Sequence, residues 1–552
     1  MLLNERLSQV VPTLTPRQIQ FALRFASGPA RRFAPNEILL DVGDRDTDVW
    51  LVVEGTIVAR RRDGLGRERS FASGGPGQFS GEVNDLSGQA SLAVVRAGEE
   101  GCVAYPFDQP HLRSLLIGSA DIGEVMMRAF ILRRAAFLEG GGVGSVILGT
   151  PESPDTVRLR GLLTRNSYPH SFIDVDDEEG RELMKRLAVE PDDLPVLISP
   201  NGTILRRPSD EQTGVGLGIT PDIKENAEYD VVVIGAGPAG LASAVYGASE
   251  GLSVLVLDSR SFGGQAGASA RIENYLGFPT GITGQALTAR AFIQAQKFGA
   301  QFALPVSVAK LDCSKPPLHR VELLNGVSVF GRTIVIASGA RYRKADIKNF
   351  DRFERRSVAY WATPIEANLC SSEDIVLVGG GNSAGQAAVF LSAHARTIYL
   401  AVRGDSLDAS MSRYLIDRIA ATPNIQVHTE TTVAELGGTR DGLLERVHLR
   451  TANPPKEWDV AARFLFLFIG AEPNTAWVDR GIALDDRGFI VTGQSSHRGL
   501  ETSSPGVFAI GDVRSGSVKR VAACVGEGAA AVAQIHSYLA SLRAEPSQPR
   551  GD

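Results

Sequence analysis

A chain of 552 residues is too long for one domain, and its 43% hydrophobic and 22% charged content is typical of globular proteins. The net charge of −6 gives no basic footprint for nucleic acid or for an anionic membrane. No apolar run is long enough to span a bilayer, and residues 1–11 lack the apolar core of a signal peptide. These features predict a cytoplasmic protein.

Residues 1–138 form the first predicted domain. Short strands at residues 38–41 and 49–53 are bounded by turns at Gly43 and Gly55, and residues 120–138 have helical spacing. The stretch resembles the cyclic-nucleotide-binding domain family, which implies an N-terminal β-roll. The residues that carry the resemblance are Phe33, Pro35, Glu37, Ile38, Leu39, Gly43, Asp44, Gly55, Gln78, Phe79, Gly81 and Glu82.

One position departs from that family. The resemblance implies that Glu82 holds a ribose 2′-hydroxyl, but the family then places an arginine against the cyclic phosphate. Residues 88–91 here read Gly-Gln-Ala-Ser. Because a charge-assisted phosphate contact supplies much of the affinity of such a pocket, tight binding of a cyclic nucleotide is not expected. Arg96 is the first candidate for a replacement.

Residues 144–208 alternate between strand and helix. Strands are predicted at 146–148, 171–175 and 194–198, and helices at 155–166 and 178–187. This alternation resembles the thioredoxin fold, with Pro195 in the place of that family's cis-proline. The family's redox cysteines would fall near residues 153–156, which read Ser-Pro-Asp-Thr. The module therefore cannot exchange disulfides, and a binding or scaffolding role is predicted. Residues 209–228 are predicted to be a linker.

A dinucleotide-binding pattern follows at residues 229–258. An apolar strand at 229–234 leads into Gly235, Gly237 and Gly240, then into a helix of small residues and a second strand that ends on Asp258. In such a G-x-G-x-x-G turn the first glycine allows the tight turn, the second admits a pyrophosphate and the third lets helix pack on strand. Asp258 can accept hydrogen bonds from the ribose hydroxyls of an adenosine.

The string after Asp258 closely resembles the low-molecular-weight thioredoxin reductase family. It contains Gly264, Gln265 and Asn274, and the resemblance implies that Gln265 and Asn274 contact the flavin of a bound FAD. The turn at Gly339 and the closing motif near residue 511 complete the same resemblance. The remaining FAD-binding candidates are Gly511, Asp512, Arg520, Val521 and Ala522.

A second turn of this kind lies between the two FAD segments. Its cofactor-binding candidates are Gly379, Gly381, Ser383 and Ala384, and the strand after it ends on Arg403 rather than on an acid. An arginine at this place suits a 2′-phosphate, which favours NADPH over NADH. The family commonly has two adjacent arginines, whereas Gly404 takes the second place here.

The redox dithiol of the resembling family is missing. Where that family has a Tyr-Cys-Ala-Thr-Cys string, residues 360–364 read Tyr-Trp-Ala-Thr-Pro, and the four cysteines (Cys102, Cys313, Cys370 and Cys524) form no C-x-x-C anywhere. No metal site is predicted from their spacing. Trp361 stands in place of the first cysteine. It either gates the flavin by stacking on it or packs between domains.

Together these patterns predict a multidomain chain: a β-roll (1–138), a thioredoxin-like α/β module (144–208), and two Rossmann-like α/β domains. The FAD domain would comprise residues 229–344 and 466–540, and the NAD(P)H domain residues 345–465. The predicted function is an FAD-dependent NAD(P)H oxidoreductase whose acceptor is not reached through an internal dithiol. The acceptor is unknown, with a protein carrier as one candidate, and the resemblance implies a homodimer. The alternatives are a ferredoxin- or flavodoxin-type NADP reductase, and a redox or nucleotide sensor with a bound flavin.

Overall fold

The structure is a computed structural model that describes residues 9–139, 144–354, 356–362, 364–440, 442–494 and 497–544. Within these residues no helix is long and apolar enough to cross a membrane. The chain forms an N-terminal β-domain, a small α/β module and two larger α/β bodies.

The N-terminal domain is an antiparallel sheet with helices at both ends of its sequence. The long strands β3 and β5 pair along their length, from Val49 opposite Phe107 to Arg61 opposite Ala93. The strands are β1 (Arg31–Phe33), β2 (Ile38–Leu40), β3 (Val49–Arg62), β4 (Glu68–Gly74) and β5 (Ala93–Phe107), and the helices are α1 (Pro16–Ala22), α2 (Gln109–Gly118) and α3 (Ala120–Glu139).

The small α/β module has a four-stranded sheet in the order β7-β6-β8-β9, with β6 and β7 parallel. Strand β6 is wholly buried, because helices cover the sheet. The Leu194–Pro195 peptide bond is cis, as the sequence predicted for Pro195. The elements are β6 (Ser145–Gly149), α4 (Pro154–Arg165), β7 (His170–Asp174), α5 (Glu178–Leu187), β8 (Val196–Ile198) and β9 (Ile204–Arg206).

Residues 209–228 are not the linker that the sequence predicted. Ser209 caps a helix, α6 (Asp210–Gly216), by accepting from the backbone N–H of Gln212. The Thr220 hydroxyl then donates to the carbonyl of Leu304 at 2.6 Å, while Arg45 donates to the carbonyl of Thr220. This segment therefore ties the N-terminal domain to the first large body. The proline and glycine content suggested a flexible linker, but the segment is packed against its neighbours.

The first α/β body has a seven-stranded sheet in the order β12-β11-β10-β15-β14-β13, with β26 added beside β15. Strands β10, β11, β15 and β26 are parallel, so the turns after them share one edge. The strands are β10 (Ala227–Ile234), β11 (Val254–Leu257), β12 (Gln301–Ala303), β13 (Val308–Asp312), β14 (His319–Leu323), β15 (Ser328–Ile336) and β26 (Val507–Ala509). The helices are α7 (Pro238–Ser249), α8 (Gly264–Gly267), α9 (Gly284–Lys297) and α14 (Val521–Ala544).

The second α/β body has a parallel sheet in the order β17-β24-β18-β19-β20 and a three-stranded antiparallel sheet. Its predicted end at residue 465 is wrong, because β24 runs on to Leu467 inside this sheet. The strands are β17 (Val358–Ala359), β18 (Asp374–Val378), β19 (Thr397–Ala401), β20 (Ile425–His428), β21 (Thr431–Gly438), β22 (Leu444–Thr451), β23 (Lys456–Val460) and β24 (Phe464–Leu467). The helices are α10 (Phe350–Phe353), α11 (Pro364–Leu369), α12 (Asn382–Leu391) and α13 (Arg413–Ala420).

A two-stranded ribbon joins the two bodies, formed by β16 (Ala340–Tyr342) and β25 (Ala471–Pro473). Both chain crossings run through this ribbon. An ion pair also bridges the bodies, between Arg418 Nη1 and Glu273 Oε2 at 2.6 Å.

The N-terminal domain and the first α/β body share one hydrophobic core. Leu86 and Leu115 belong to the same buried cluster as Phe262 and Phe292, whose rings stack with centroids 4.4 Å apart. Arg113 of the N-terminal domain also lies against the first body, because a Cβ added to Gly299 would be 3.3 Å from its Nη1. The N-terminal domain is therefore built into the body beside it rather than attached by a tether.

Candidate dinucleotide sites

The turn after β10 is shaped by two glycines that no other residue could replace. Gly235 has φ +112°, and a Cβ there would lie 2.2 Å from the carbonyl oxygen of Ala337. A Cβ on Gly240 would lie 1.8 Å from the carbonyl oxygen of Gly235. Helix α7 thus packs on its own turn at backbone distance.

Gly237 differs, because space is open where its side chain would be. The nearest atom to a Cβ there is the Cα of Gly264, 4.0 Å away. Gly237 is also the N-cap of α7, and no side chain caps the helix. An uncapped helix N-terminus behind an open glycine fits a pyrophosphate, since its amides and its dipole both favour an anion.

Asp258 holds the turn at the same edge. Its carboxylate accepts from the backbone N–H groups of Ala236 at 2.9 Å, of Arg260 at 2.9 Å and of Ser261 at 3.3 Å. Burial raises the pKa of Asp258, while these hydrogen bonds oppose that shift. Sequence reasoning assigned the residue to a ribose and missed this structural role.

Of the next three candidates of the first body, Gly264 lies at the same turn and Gln265 reaches a neighbouring one. Gly264 has φ +53°, and a Cβ there would come within 3.0 Å of the Cα of Gly237. Gln265 donates to the carbonyl of Ala340, next to the Gly339 turn. Asn274 is exposed.

The closing motif reaches this edge through β26. Gly511 has φ +70°, and a Cβ there would lie 2.9 Å from the Cβ of Ala239 in α7. Asp512 follows, and burial raises its pKa. Arg520 and Ala522 are exposed and Val521 is half-buried, where α14 begins.

The second body repeats the arrangement of the first. Gly381 is the N-cap of α12 without a side-chain cap, and the nearest atom to a Cβ there is 3.9 Å away. Ser383 is exposed, whereas Ala384 is fully buried beneath the turn, 3.0 Å from the site of a Cβ on Gly379. Ala384 therefore shapes the turn by its small size.

Arg403 is exposed just beyond β19, and it makes no hydrogen bond or ion pair within the described part of the chain. Arg413, farther along, is committed to Asp417 at 2.9 Å and to Asp408 at 3.8 Å. Of these two arginines, only Arg403 keeps its guanidinium for an anion.

Trp361 is half-buried, and its indole N–H donates to Glu366 at 2.8 Å. Tyr360 and Ala362 flank it, while Thr363 of the same string lies outside the described residues. The indole is thus anchored to α11.

No cysteine is activated. Burial raises the thiol pKa of Cys102, and it raises that of Cys313 and Cys370 to about 11 and that of Cys524 to about 12. Since the thiolate is the reactive form, these are structural thiols.

The N-terminal domain encloses a mostly apolar cavity of about 50 Å³ beside Glu82. Asp85 lines it too, and its carboxylate accepts from the backbone N–H of Glu82 at 2.7 Å and from the Thr47 hydroxyl at 3.0 Å. Burial, then the charge of Glu82, raises the pKa of Asp85 to about 7.

The arginine of this cavity is Arg133, not Arg96. Arg133 is 6% exposed and donates to the carbonyls of Val10, Gly81 and Phe79 at 2.9, 2.7 and 3.0 Å. Arg96 lies in β5 opposite Ile38 and Val58 and does not line the cavity. The sequence analysis did not identify Arg133 or Asp85, because neither residue lies at a position of the cyclic-nucleotide-binding motif.

Comparison with known proteins identifies two families that match parts of the chain. Residues 229–528, more than half of the chain, match the pyridine nucleotide-disulphide oxidoreductase family. The chain belongs to this family. Residues 30–118 match the cyclic nucleotide-binding domain.

Individual proteins that are similar to this chain are thioredoxin reductases. The oxidoreductase is 31% identical to the thioredoxin reductase of Mycoplasma genitalium over 317 residues, 57% of this chain and 97% of that protein. It is 31% identical to NADPH-dependent thioredoxin reductase 3 of Arabidopsis thaliana over 328 residues, 58% of this chain and 60% of that protein. The crystal structure of T. acidophilum thioredoxin reductase aligns with a TM-score of 0.53 at 27% identity, covering 57% of this chain and all of that one, 100%.

The protein is thus a thioredoxin-reductase-type flavin oxidoreductase that uses FAD and NADPH. FAD supplies the hydride-accepting ring of this chemistry, and the protein supplies binding and orientation. The ferredoxin-type reductase and the flavin sensor considered from the sequence are not favoured by these matches.

Two glycine variants separate folding from cofactor binding. Gly237→Val places a side chain in open space, so the apoprotein should keep its melting temperature but lose at least about tenfold in FAD affinity. Gly240→Val should instead destabilise the apoprotein, because its Cβ meets a backbone oxygen. Thermal unfolding and FAD titration of the two apoproteins measure both effects. An unchanged FAD affinity in Gly237→Val would contradict the placement of the pyrophosphate.

Proposed function

We propose that this oxidoreductase passes electrons from NADPH through FAD to an acceptor without using an internal dithiol. The observation that carries the proposal is the state of its cysteines. None of the four lies in a C-x-x-C, and burial raises the pKa of every one. A thioredoxin reductase in the literal sense needs a dithiol to take electrons from the flavin, and this chain has no pair to serve.

Within this proposal the two glycine turns hold the two cofactors. Gly235, Gly237 and Asp258, together with Gln265, Asn274 and Asp512, would hold FAD. Gly379, Gly381 and Ser383 would hold NADPH, whose pyrophosphate the uncapped N-terminus of α12 would receive.

We assign Arg403 to the 2′-phosphate of NADPH. Two observations support this assignment. The Arg403 side chain is exposed at the end of β19, and its guanidinium has no partner among the described residues. Arginine presents a planar fork of N–H donors that matches a phosphate. Gly404 beside it supplies no second charge, so the preference for NADPH rests on one residue.

We assign Trp361 to the place of the missing cysteine. Its hydrogen bond to Glu366 holds the ring at the start of α11, where it can gate the flavin but cannot accept electrons by disulfide chemistry. The acceptor must therefore reach the flavin directly, as a small oxidant or as a protein carrier.

The small α/β module serves as a scaffold in this proposal. The residues at the N-terminus of α4, Ser153 and Thr156, have no thiol. The C-terminal end of α4 contacts the first α/β body. There Asn166 donates to the carbonyl of Arg260 at 3.0 Å, and Gln285 donates to the carbonyl of Thr164 at 3.1 Å. A module fixed at this contact does not shuttle electrons.

Turnover in the presence of a thiol-alkylating reagent tests the function. NADPH oxidation by the FAD-loaded protein should proceed with a quinone or ferricyanide and should be unchanged after alkylation or in Cys370→Ala. A thioredoxin-type disulfide should be a poor acceptor. Turnover that requires a disulfide acceptor and disappears on alkylation would contradict the proposal.

The same assay reports on Trp361. Trp361→Ala should speed reoxidation of the reduced flavin and raise flavin fluorescence, because an indole in contact quenches it. Trp458→Ala, on β23 of the second body, is the matched control and should change neither. If both variants behave as the wild type does, Trp361 is a packing residue.

Arg403→Ala should lower the preference for NADPH over NADH by about tenfold or more, since a charge-assisted phosphate contact is worth roughly 1.5–3 kcal/mol. Stopped-flow reduction of the flavin by each nucleotide measures the ratio. Arg413→Ala removes a neighbouring charge that is already paired, and it should leave the ratio unchanged. Equal ratios in wild type and Arg403→Ala would exclude Arg403 as the reader of the phosphate.

Cyclic nucleotides should bind the N-terminal cavity weakly or not at all. The carboxylate of Asp85 already takes the backbone N–H of Glu82, and three carbonyls already take the guanidinium of Arg133, so neither donor group is left to bind a cyclic phosphate. Calorimetry with cyclic AMP and cyclic GMP measures this. A dissociation constant below about 1 μM, which corresponds to more than 8 kcal/mol of binding free energy, would contradict it.

A further inference from the structure

We propose that Glu527 is a positioning residue for FAD, acting through the turn that carries Asp512 rather than by touching the cofactor. The proposal rests on FAD lying at the edge of the first body. It concerns a residue of α14 that belongs to none of the glycine motifs.

One carboxylate holds both ends of the turn. Glu527 Oε2 accepts from the backbone N–H of Gly511 at 2.6 Å, and Glu527 Oε1 accepts from Arg514 Nη2. The turn in between contains Asp512, and Gly511 adopts φ +70° there. Both hydrogen bonds gain from the charge of the carboxylate, and a half-buried setting strengthens them, since Glu527 is 15% and Arg514 20% exposed.

The position of Glu527 is fixed by the residue next to it. A Cβ on Gly528 would lie 2.6 Å from the Cβ of Ala242 and 2.9 Å from the carbonyl oxygen of Ala239, so α14 crosses α7 at backbone distance. Glu527 is therefore held on the same helix pair that forms the pyrophosphate turn. Its carboxylate links that helix pair to the closing motif.

Asp512 has few contacts of its own that could set its direction. Its carboxylate meets the Cys524 thiol at 3.9 Å, and the Lys519 ammonium donates to its backbone carbonyl at 3.0 Å. The direction of the Asp512 side chain thus follows from the backbone of the turn. Releasing Glu527 should let that backbone relax while leaving Asp512 chemically intact.

The same strand offers a matched control at its other end. Glu501 accepts from the backbone N–H of Gly506 at 2.8 Å and pairs with Arg498 Nη1 at 3.1 Å. Gly506 precedes β26 and Gly511 follows it, so the two carboxylates make the same pair of contacts at opposite ends of one strand. Only Glu527 is at the cofactor edge.

The experiment compares Glu527→Ala, Glu527→Gln and Glu501→Ala as full-length apoproteins. Each is titrated with FAD by flavin fluorescence, its melting temperature is measured, and the visible circular dichroism of bound flavin is recorded. Glu527→Ala should weaken FAD binding by about tenfold or more and alter the dichroism, because two charge-assisted hydrogen bonds are lost. Glu501→Ala should lower the melting temperature while changing the FAD dissociation constant by less than about twofold.

Glu527→Gln keeps an acceptor for Gly511 and should recover most of the FAD affinity, which keeps the proposal testable if the alanine variant does not fold. Equal losses of FAD affinity in Glu527→Ala and Glu501→Ala would overturn it by showing a general effect of stability. So would unchanged FAD binding in Glu527→Ala. A wild type that binds no FAD would instead refute the proposed FAD site itself.

Discussion

The first α/β body depends on one constraint, the backbone-distance packing of α7 between its own turn and α14. Gly240 permits the approach on the side of the turn, where its Cβ would lie 1.8 Å from the carbonyl oxygen of Gly235. Gly528 permits it on the side of α14, where its Cβ would lie 2.6 Å from the methyl group of Ala242. Burial of small side chains along α7 supplies little area for each residue, so the close fit itself stabilises the layer. The open space at Gly237 and the position of the Gly511 turn both follow from where this packing puts the helix.

The tight packing of α7 restricts the positions of the turns that follow the parallel strands. These turns all lie at one edge of the sheet. Asp258, which sequence reasoning gave to the cofactor, is already engaged by three backbone N–H groups of that edge. The main role of such a carboxylate is to hold the loop, and it can also accept a hydrogen bond from a ligand. The second body repeats the uncapped helix and the open glycine, so each body has a candidate dinucleotide turn of its own, and the ribbon β16–β25 connects the two.

The sequence predicted the parts of the fold that depend on local pattern. The glycines of both turns, the strands on either side of them and the helix at residues 178–187 need only spacing and small size to be recognised. It failed where long-range packing decides. Residues 209–228 have the composition of a linker but contain a capped helix, and the predicted domain end at residue 465 falls inside the strand Phe464–Leu467, which has a neighbour on each side in its sheet. Arg133 was missed because the carbonyls that it binds, those of Val10, Phe79 and Gly81, are far from it in the sequence and come near it only in the folded chain.

The shared core between the N-terminal domain and the first body has a consequence for dissecting the protein. A fragment that begins near residue 228 would leave Phe262 and Phe292 without the leucines that cover them, and the complementary fragment would expose Leu86 and Leu115. Newly bared aromatic and aliphatic surface of this kind drives aggregation. Truncated forms would therefore misrepresent both halves, and the cut that respects the architecture falls instead at the ribbon β16–β25, where the second α/β body could be removed and its two chain ends rejoined.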